Sequence, residues 1–181
     1  MGSIFFNQGE SCNAPSRLYV EASIQDRFLE KALAMAPRFA PTNPLKPETI
    51  MGAIVDKVQM ETVLRYVESG KSEGASLLYG GEQALADTGG CYVQPTIFAG
   101  VTGAMTIARE EIFGPVLSVL SFTDAADVVR QANQSIFGLQ AGVWTKDINK
   151  ALGVGRALRA GTVHVNQYDE DDITVPFGGY K

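Results

Sequence analysis

Apolar positions recur at spacings of three and four residues along the first long stretch of the chain, from Ser16 to about Met35. This spacing predicts an amphipathic helix with its polar side chains on the other faces. The apolar positions are Leu18, Tyr19, Ala22, Phe28, Leu29, Ala32 and Leu33. Four prolines follow and stop helix formation, so residues 37–50 are predicted to form a surface connection.

A second helix is predicted over residues 54–69. Its predicted buried positions are Val55, Val58, Val63, Leu64 and Val67. The short apolar run from Ser76 to Tyr79 predicts a strand before two glycines. Cys91 to Phe98 indicates an extended segment, in which Pro95 suits a sheet edge or the start of a strand.

Strands and helices alternate in the second half of the chain. The predicted elements are a strand at 116–122, a helix capped by Thr123 or Asp124 with Asp127 at a capping-box position, a strand at Leu139 to Trp144, a helix beginning at Thr145 or Asp147, and a strand at Thr162 to Asn166. Short connections between such elements predict a three-layer α/β fold, a parallel sheet with helices on both faces and right-handed crossovers.

Composition describes an ordinary globular chain and argues against several classes of partner. Of the 181 residues, 45% are hydrophobic and 19% are charged, which is enough for one sizeable core. The net charge of −5 gives no support for a nucleic-acid or anionic-membrane partner, and no apolar run is long enough to span a bilayer. Met1-Gly2-Ser3 is typical of residues added for expression, so the domain is assigned to 4–181.

The two cysteines, Cys12 and Cys91, do not make a disulfide framework, which favours a reducing, cytoplasmic location. Cys12 ends a glycine-containing loop just before the first predicted helix. With Asn13 as N-cap and Pro15 in the first turn, the thiol would meet a helix N-terminus that favours thiolate and offers N–H groups to an oxyanion. On spacing alone, a buried or incidental cysteine remains the alternative.

Three other features are better explained by structure than by chemistry. Cys91 has neither a helix N-terminus nor a cation beside it, which favours a structural thiol. His164, the only histidine, lies in a strand pattern, which favours a packed residue over a base for Cys12; with so few ligands, no metal site is expected. Gly153-Val154-Gly155 lies inside a helical run and is not a dinucleotide fingerprint.

Three segments, in order along the chain, resemble the aldehyde dehydrogenase superfamily. They read FFNQGESCNAPSRLYVE, EEIFGPV and PFGGYK, beginning at Phe5, Glu110 and Pro176. They are similar to that family's nucleophile, cofactor-contacting and substrate-tunnel segments, respectively. The resemblance covers nearly the whole chain and implies the α/β fold of the family's catalytic domain.

The resemblance implies roles for residues in the first two segments. Cys12 corresponds to the catalytic nucleophile, and Ser11 and Asn13 flank it on the substrate side. Glu111 matches the residue that holds the nicotinamide ribose of NAD or NADP, and Phe113 matches the aromatic that flanks the same part of the cofactor. Without the resemblance, two adjacent glutamates would be interpreted as a solvated turn.

Gln59 is a further candidate, because the family places a glutamine near the cofactor ribose. Thr62 stands where many members have a lysine, and an exposed helix glutamine remains the alternative.

The third segment follows four consecutive acids at 169–172, which by charge alone predict a solvated loop. The resemblance places this loop at the aldehyde entrance, with Phe177 deeper in the tunnel. Asp171 stands where many members have an aromatic or small apolar residue. The loop is similar to that of enzymes for amino-group-bearing aldehydes, including γ-glutamyl-γ-aminobutyraldehyde. Acids at the entrance would attract a cationic amine.

The resemblance also implies what surrounds these residues in a complete enzyme. In the family, a dinucleotide-binding domain, a general-base glutamate and an oxyanion-hole asparagine precede the nucleophile segment, and an oligomerisation strand follows the tunnel segment. We therefore expect a homo-oligomeric parent, a dimer or tetramer, acting on a small-molecule aldehyde, and no NAD-dependent turnover from these 181 residues alone. A CoA-acylating relative and a catalytically silent binding or structural relative remain alternatives.

Overall fold

The computed structural model describes residues 1–168 and 172–181, and the chain forms two compact units, Met1–Ser121 and Phe122–Lys181. The helices are α1 (Gly2–Phe5), α2 (Gln25–Met35), α3 (Lys57–Ser72), α4 (Thr106–Arg109), α5 (Ala125–Asn133) and α6 (Ile148–Ala157). The strands are β1 (Arg17–Glu21), β2 (Ser76–Tyr79), β3 (Gln83–Ala84), β4 (Tyr92–Val93), β5 (Thr96–Ala99), β6 (Val116–Phe122), β7 (Gln140–Val143) and β8 (Thr162–Val165).

The first unit is built on a four-stranded mixed sheet in the order β1-β6-β5-β2. Strands β5 and β6 run parallel, with Ile97 opposite Leu117, and β2 pairs antiparallel with the other side of β5. A mixed sheet with an antiparallel edge strand is common in α/β folds. Pro95 directly precedes the inner strand β5, so it begins a strand as predicted and does not lie on a sheet edge.

Strand β6 is buried on both faces, which explains its nearly continuous apolar sequence. Because successive side chains of a strand point to opposite sides, its residues divide between two clusters. Val116 and Leu120 lie in one core cluster with the inner face of α3. Leu117 and Val119 lie in the second cluster with α2. Helices therefore cover both faces of the sheet, as the sequence predicts.

The second unit contains a two-stranded parallel sheet, in which Gln140 of β7 lies opposite Thr162 of β8. Its helices begin at two of the predicted caps. The Asp124 side chain accepts a hydrogen bond from the backbone N–H of Asp127 at 2.8 Å, and Asp147 accepts from two N–H groups of the first turn of α6. The alternation predicted for the second half of the chain is confirmed.

The helix predicted from Ser16 to Met35 is wrong in its first half. Residues Arg17–Glu21 form strand β1, and α2 begins only at Gln25. The backbone N–H of Ser118 in β6 donates to the Ser16 carbonyl oxygen at 2.8 Å, which joins the start of β1 to the sheet. A pairing with a distant strand thus overrides a local apolar spacing that fits either type of element.

Helix α3 begins and ends later than predicted, and its buried face differs from the predicted one. Val63 and Val67 are fully buried, and Leu64 packs against the same cluster. Val55 and Val58, predicted as buried, are 77% and 71% exposed. Val55 precedes the helix, and Val58 lies on its outer side.

The outer side of α3 is charged and faces solvent. It carries two ion pairs, Lys57 to Glu61 at 3.8 Å and Lys71 to Glu68 at 2.7 Å, of the exposed kind that adds little stability. Although α3 is the longest helix, neither it nor any other helix within 1–168 and 172–181 is long and apolar enough to cross a membrane.

Candidate active site

A run of left-handed backbone precedes Cys12. The φ angles of Asn7, Gln8 and Gly9 are 47°, 58° and 72°, values that are uncommon for residues with a β-carbon. Two hydrogen bonds close the run: the Glu10 N–H donates to the Asn7 carbonyl oxygen at 2.9 Å, and the Asn7 Nδ2 donates to the Glu10 carbonyl oxygen at 2.8 Å. The chain therefore turns sharply before it reaches the cysteine.

The segment ahead of α3 holds this run from outside. The Gly52 N–H donates to Gln8 Oε1 at 3.0 Å, and the Val55 N–H donates to both carboxylate oxygens of Glu10, at 3.1 and 3.2 Å. Glu10 is thus a structural anchor, and it ties the loop to residues that directly precede α3.

Cys12 is exposed in a turn between its two predicted substrate-side neighbours. The Ala14 N–H donates to the Ser11 carbonyl oxygen at 3.0 Å and closes the turn, and Ser11 Oγ donates to Asn13 Oδ1 across it. The structure therefore places Ser11, Cys12 and Asn13 together, with the thiol open to solvent.

The chain leaves the Cys12 turn as strand β1, not as a helix. The predicted N-cap role of Asn13 and the predicted first-turn role of Pro15 are wrong, because Arg17 is recruited into the sheet beside β6. Because no helix begins at Cys12, the predicted effect of a helix dipole on its thiol is also wrong. The exposure of Cys12 comes from the turn itself.

The predicted cofactor segment is held by a glutamine of α3. Phe113 has a φ of 52°, a left-handed conformation that costs about 1–2 kcal/mol for a residue with a β-carbon. Gln59 Nε2 donates to the carbonyl oxygens of Ile112 and Phe113, at 3.0 and 2.8 Å. Gln59 is half-buried and is therefore not an exposed helix glutamine, while Glu111, the residue directly before these two carbonyl groups, is exposed.

Two further side chains of α3 contact the same segment. The Tyr66 hydroxyl donates to Glu110 Oε2 at 2.9 Å. This hydrogen bond is the main cause of a raised pKa of Tyr66, and partial burial is the second. A β-carbon on Gly114 would lie 2.4 Å from Cγ2 of Val63, so the backbone there rests directly on the helix.

The Cys12 loop and the cofactor segment meet at two glycines. A β-carbon on Gly9 would lie 2.4 Å from the carbonyl carbon of Gly114 and 2.9 Å from the nitrogen of Pro115. Sequence reasoning missed this contact. A glycine in each motif signals a loop, but nothing in the local pattern indicates that the two loops touch.

The other predicted residues have the following places. Phe177 belongs to the second unit and is 51% exposed, and Asp171 lies outside the described residues. His164 is a buried residue of β8 whose ring lies 5.7 Å from that of Tyr168, so the packed-strand prediction is confirmed. Cys91 is half-buried against the first core cluster, in keeping with a structural thiol. Within 1–168 and 172–181, no group of three or more acidic, cysteine or histidine side chains is placed to hold a metal ion.

Comparison with solved structures shows that this chain is similar to dehydrogenases. The chain is 58% identical to the aldehyde dehydrogenase KauB from Pseudomonas aeruginosa, with a TM-score of 0.97. It is 56% identical to an indole-3-acetaldehyde dehydrogenase in complex with NAD+, with a TM-score of 0.97. It is 53% identical to the gamma-glutamyl-gamma-aminobutyraldehyde dehydrogenase of Burkholderia cenocepacia, with a TM-score of 0.96. Each match covers 99% of this chain and 36% of the other.

The chain belongs to the aldehyde dehydrogenase family, whose model matches residues 1–181. Among curated relatives, it is 47% identical over 179 residues to the mitochondrial aldehyde dehydrogenase of Homo sapiens, covering 99% of this chain and 34% of that protein. It is 45% identical over 178 residues to the cytosolic aldehyde dehydrogenase 2 of Macroscelides proboscideus, covering 98% of this chain and 73% of that sequence. The chain spans about a third of the length of the human protein. The family resemblance and the α/β fold class are confirmed.

Proposed function

We propose that the complete enzyme carrying this chain oxidises an aldehyde to a carboxylic acid, with NAD or NADP as hydride acceptor. The observation that carries the proposal is the contact between Gly9 and Gly114, because it joins the loop of the predicted nucleophile to the predicted cofactor segment within one unit. Membership of the family and the NAD+ complex of a relative with 56% identity support it.

In this mechanism, Cys12 supplies the nucleophile. Its thiolate forms a bond to the aldehyde carbon while the carbonyl π electrons move to oxygen, giving a thiohemiacetal whose oxyanion the Cys12 backbone N–H helps to hold. NAD or NADP, held by Glu111 and Phe113, would supply the hydride acceptor for the oxidation of that carbon. The product on Cys12 is a thioester. Water then gives one proton to the general base as it adds to the thioester carbon, the carbon–sulfur bond breaks, and the carboxylic acid leaves with regeneration of the thiolate.

The residues on the cofactor side fit a nicotinamide ribose. An exposed carboxylate such as Glu111 accepts hydrogen bonds from vicinal hydroxyls, and the Phe113 ring, 40% exposed, offers a face to the adjacent ring system. Gln59 fixes the backbone of this segment, so both groups are presented in one orientation. Holding the two reactants in place is itself a large part of catalysis in such reactions.

On the substrate side we propose Ser11 and Asn13 beside the thiol, and Phe177 and Asp171 from the tunnel segment and the acidic loop. The acids at 169–172 favour an aldehyde that carries an amino group, since opposite charges attract at an entrance. A relative at 53% identity acts in name on gamma-glutamyl-gamma-aminobutyraldehyde, which is consistent with this preference.

The family resemblance assigns the water-activating glutamate and a second oxyanion donor to a domain outside these 181 residues. We therefore propose that the 181-residue chain by itself yields no NADH from an aldehyde. A homo-oligomeric parent in the cytoplasm completes the proposal; its relatives include both cytosolic and mitochondrial enzymes.

The test compares Cys12→Ala with Cys91→Ala in the full-length protein, using NADH or NADPH formation from a panel of aldehydes. Loss of the nucleophile is expected to lower kcat by about 10³-fold or more, whereas Cys91→Ala retains most of the activity. Intact-mass analysis of acid-quenched wild-type protein should show an acyl adduct on the Cys12 peptide. Equal turnover in Cys12→Ala would refute the proposal.

Product analysis separates the rival functions. With CoA present, a CoA-acylating enzyme releases an acyl-CoA, whereas the proposed enzyme releases the free acid with or without CoA. A catalytically silent relative gives no turnover with any aldehyde, although Cys12 still reacts with alkylating agents.

A further inference from the structure

One face of α3 contacts the segment 110–114 at three points. Gln59, Val63 and Tyr66 are spaced by four and three residues, so they lie on the same side of the helix. They meet, in order, the carbonyl oxygens of Ile112 and Phe113, the backbone of Gly114, and the carboxylate of Glu110. The family resemblance assigns no role to Tyr66 or Val63, and it assigns Gln59 to the ribose and not to the backbone.

We propose that Tyr66 and Gln59 are positioning residues for the cofactor side of the site, and that the Tyr66 hydroxyl selects which of two adjacent glutamates is left for the cofactor. The proposal rests on the proposed function for the identity of the cofactor. Neither side chain needs to touch the cofactor or the aldehyde for this role.

The selection follows from the chemistry of two neighbouring carboxylates. Glu110 and Glu111 have the same side chain, and either one can accept hydroxyl groups. Tyr66 donates to Glu110 at 2.9 Å, a hydrogen bond to an ionised acceptor and therefore stronger than a neutral one. Both glutamates are exposed to solvent, but the hydrogen bond ties the Glu110 carboxylate to α3 and leaves the Glu111 carboxylate to accept the ribose hydroxyls.

The need for an external hold follows from the backbone. Ile112 is buried in the first core cluster and anchors the middle of the segment. Phe113, in a left-handed conformation, is 40% exposed and Glu111 is exposed, so core packing does not fix these two residues. The Gln59 amide spans two successive carbonyl oxygens and Val63 supports Gly114, so the strained residue is held on both sides. Helix α3, packed in the core through Val67, supplies the rigidity.

Tyr66 can be tested without disturbing the core. Its ring packs partly against the first core cluster, and its hydroxyl reaches Glu110, so Tyr66→Phe removes the hydrogen bond and keeps the packing. Tyr79→Phe is the matched control, because Tyr79 packs against the second core cluster. Gln59→Glu replaces the amide donor by an acceptor of the same shape.

The first measurement is amide hydrogen exchange in the 181-residue chain. Tyr66→Phe and Gln59→Glu are expected to speed exchange in peptides covering 110–114, and Tyr79→Phe is expected to leave it unchanged. Glu110→Gln, which keeps an acceptor for the hydroxyl, should give an intermediate effect. Wild-type exchange in both Tyr66→Phe and Gln59→Glu would overturn the proposal.

The second measurement is steady-state kinetics in the full-length protein. Tyr66→Phe should raise KM for the dinucleotide about three- to ten-fold, the equivalent of one hydrogen bond, with KM for the aldehyde and the rate of Cys12 alkylation unchanged. A merely structural role would instead lower the melting temperature and change all three quantities together, and that result would overturn the proposal, as would an unchanged KM for the dinucleotide.

The two measurements keep the failures apart. If the wild-type full-length protein reduces neither NAD nor NADP, the proposed function is refuted. The exchange rates of residues 110–114 then still decide whether Tyr66 and Gln59 hold the segment.

Discussion

A β-carbon on Gly9 would lie 2.2 Å from the carbonyl oxygen of Gly114, a separation that no side chain tolerates. Gly9 also has a left-handed backbone, with a φ of 72°. The position therefore favours glycine for two independent reasons, the close approach to Gly114 and the positive φ. The contact joins two segments that are far apart in sequence, and it sets where the Cys12 turn lies relative to Phe113.

The first prediction concerns this contact. Gly9→Ala should lower the free energy of unfolding by about 2–4 kcal/mol, from the left-handed backbone and the steric overlap together. Urea unfolding measures the effect. Gly103→Ala is the control, since a β-carbon at Gly103 would meet nothing within 4 Å, and it should change stability by no more than about 0.5 kcal/mol. Equal effects of the two substitutions would show that the backbones of Gly9 and Gly114 do not lie this close together.

The second prediction concerns the support of the cofactor segment by α3. Gly114→Ala brings a methyl group to within 2.4 Å of Val63 Cγ2 and should cost about 1–3 kcal/mol of stability. Val63→Ala alone should cost about 2 kcal/mol, because Val63 is fully buried. The double variant should lose less than the sum, by about 0.5 kcal/mol or more, since each change makes room for the other. Strict additivity in denaturant unfolding would contradict the contact.

The third prediction uses the exposure of the two thiols. Cys12 is exposed and Cys91 is half-buried, so iodoacetamide should alkylate Cys12 first in the native chain, on the order of ten times faster or more. Peptide mass spectrometry after timed quenching follows both sites. In urea the two rates should become similar. Preferential alkylation of Cys91 in the native protein would mean that the turn at Ser11–Ala14 does not present the thiol.

The fourth prediction is a pH dependence at the end of α3. Thr106, at the start of α4, donates to the Glu73 carboxylate through its hydroxyl and, at 2.6 Å, through its backbone N–H. These hydrogen bonds lower the pKa of Glu73 below its ordinary value of 4.5. The stabilisation is therefore present above pH 4.5 and is lost as the pH falls through the lowered pKa.

Thr106→Val tests it, because the valine keeps the backbone donor and removes the hydroxyl. The difference in unfolding free energy between wild type and Thr106→Val should be largest near neutral pH and shrink in acid. A difference that grows in acid would reverse the sign of the linkage and contradict the assignment.

The fifth prediction concerns the acidic loop in the full-length enzyme. Asp171→Asn should lower the ratio of kcat/KM for an aminoaldehyde over a neutral aliphatic aldehyde by about three- to ten-fold, the size expected for the loss of one opposite charge. Asp171→Phe should lower the ratio further, because it adds apolar surface that favours the neutral substrate. An unchanged ratio in both variants would remove the basis for an aminoaldehyde preference.

Local signals were sufficient for much of the second half of the fold. The caps Asp124 and Asp147 accept backbone hydrogen bonds where the sequence places them, and β6 is the apolar strand that its sequence indicates. Strand β1 was not predictable in this way, since its place depends on a distant partner. Leu18 and Val20 fit a strand, but Leu18, Tyr19 and Ala22 fit a helix equally well, and only β6 decides between them.

The candidate site shows the same division. The motif around Cys12 and the Glu111–Phe113 pair could be found from the sequence by resemblance, because they are short and contiguous. The hydrogen bond from Gln59 to Phe113 joins residues 54 positions apart, and no periodic pattern records such a contact. The incorrect prediction of a helix starting at Asn13 had a similar origin. A favourable N-cap sequence does not start a helix when the residues that follow pair with a distant strand.

Helix α3 has two faces with different roles, so its outer face can carry a label without disturbing the contacts of its inner face. The inner face holds the segment 110–114 through Gln59 and Tyr66, whereas the outer face carries Glu61 and Glu68 in solvent. A fluorescent dye attached to a cysteine at position 68 would lie on the same helix as Tyr66, which binds Glu110, but on the opposite, solvent-facing side.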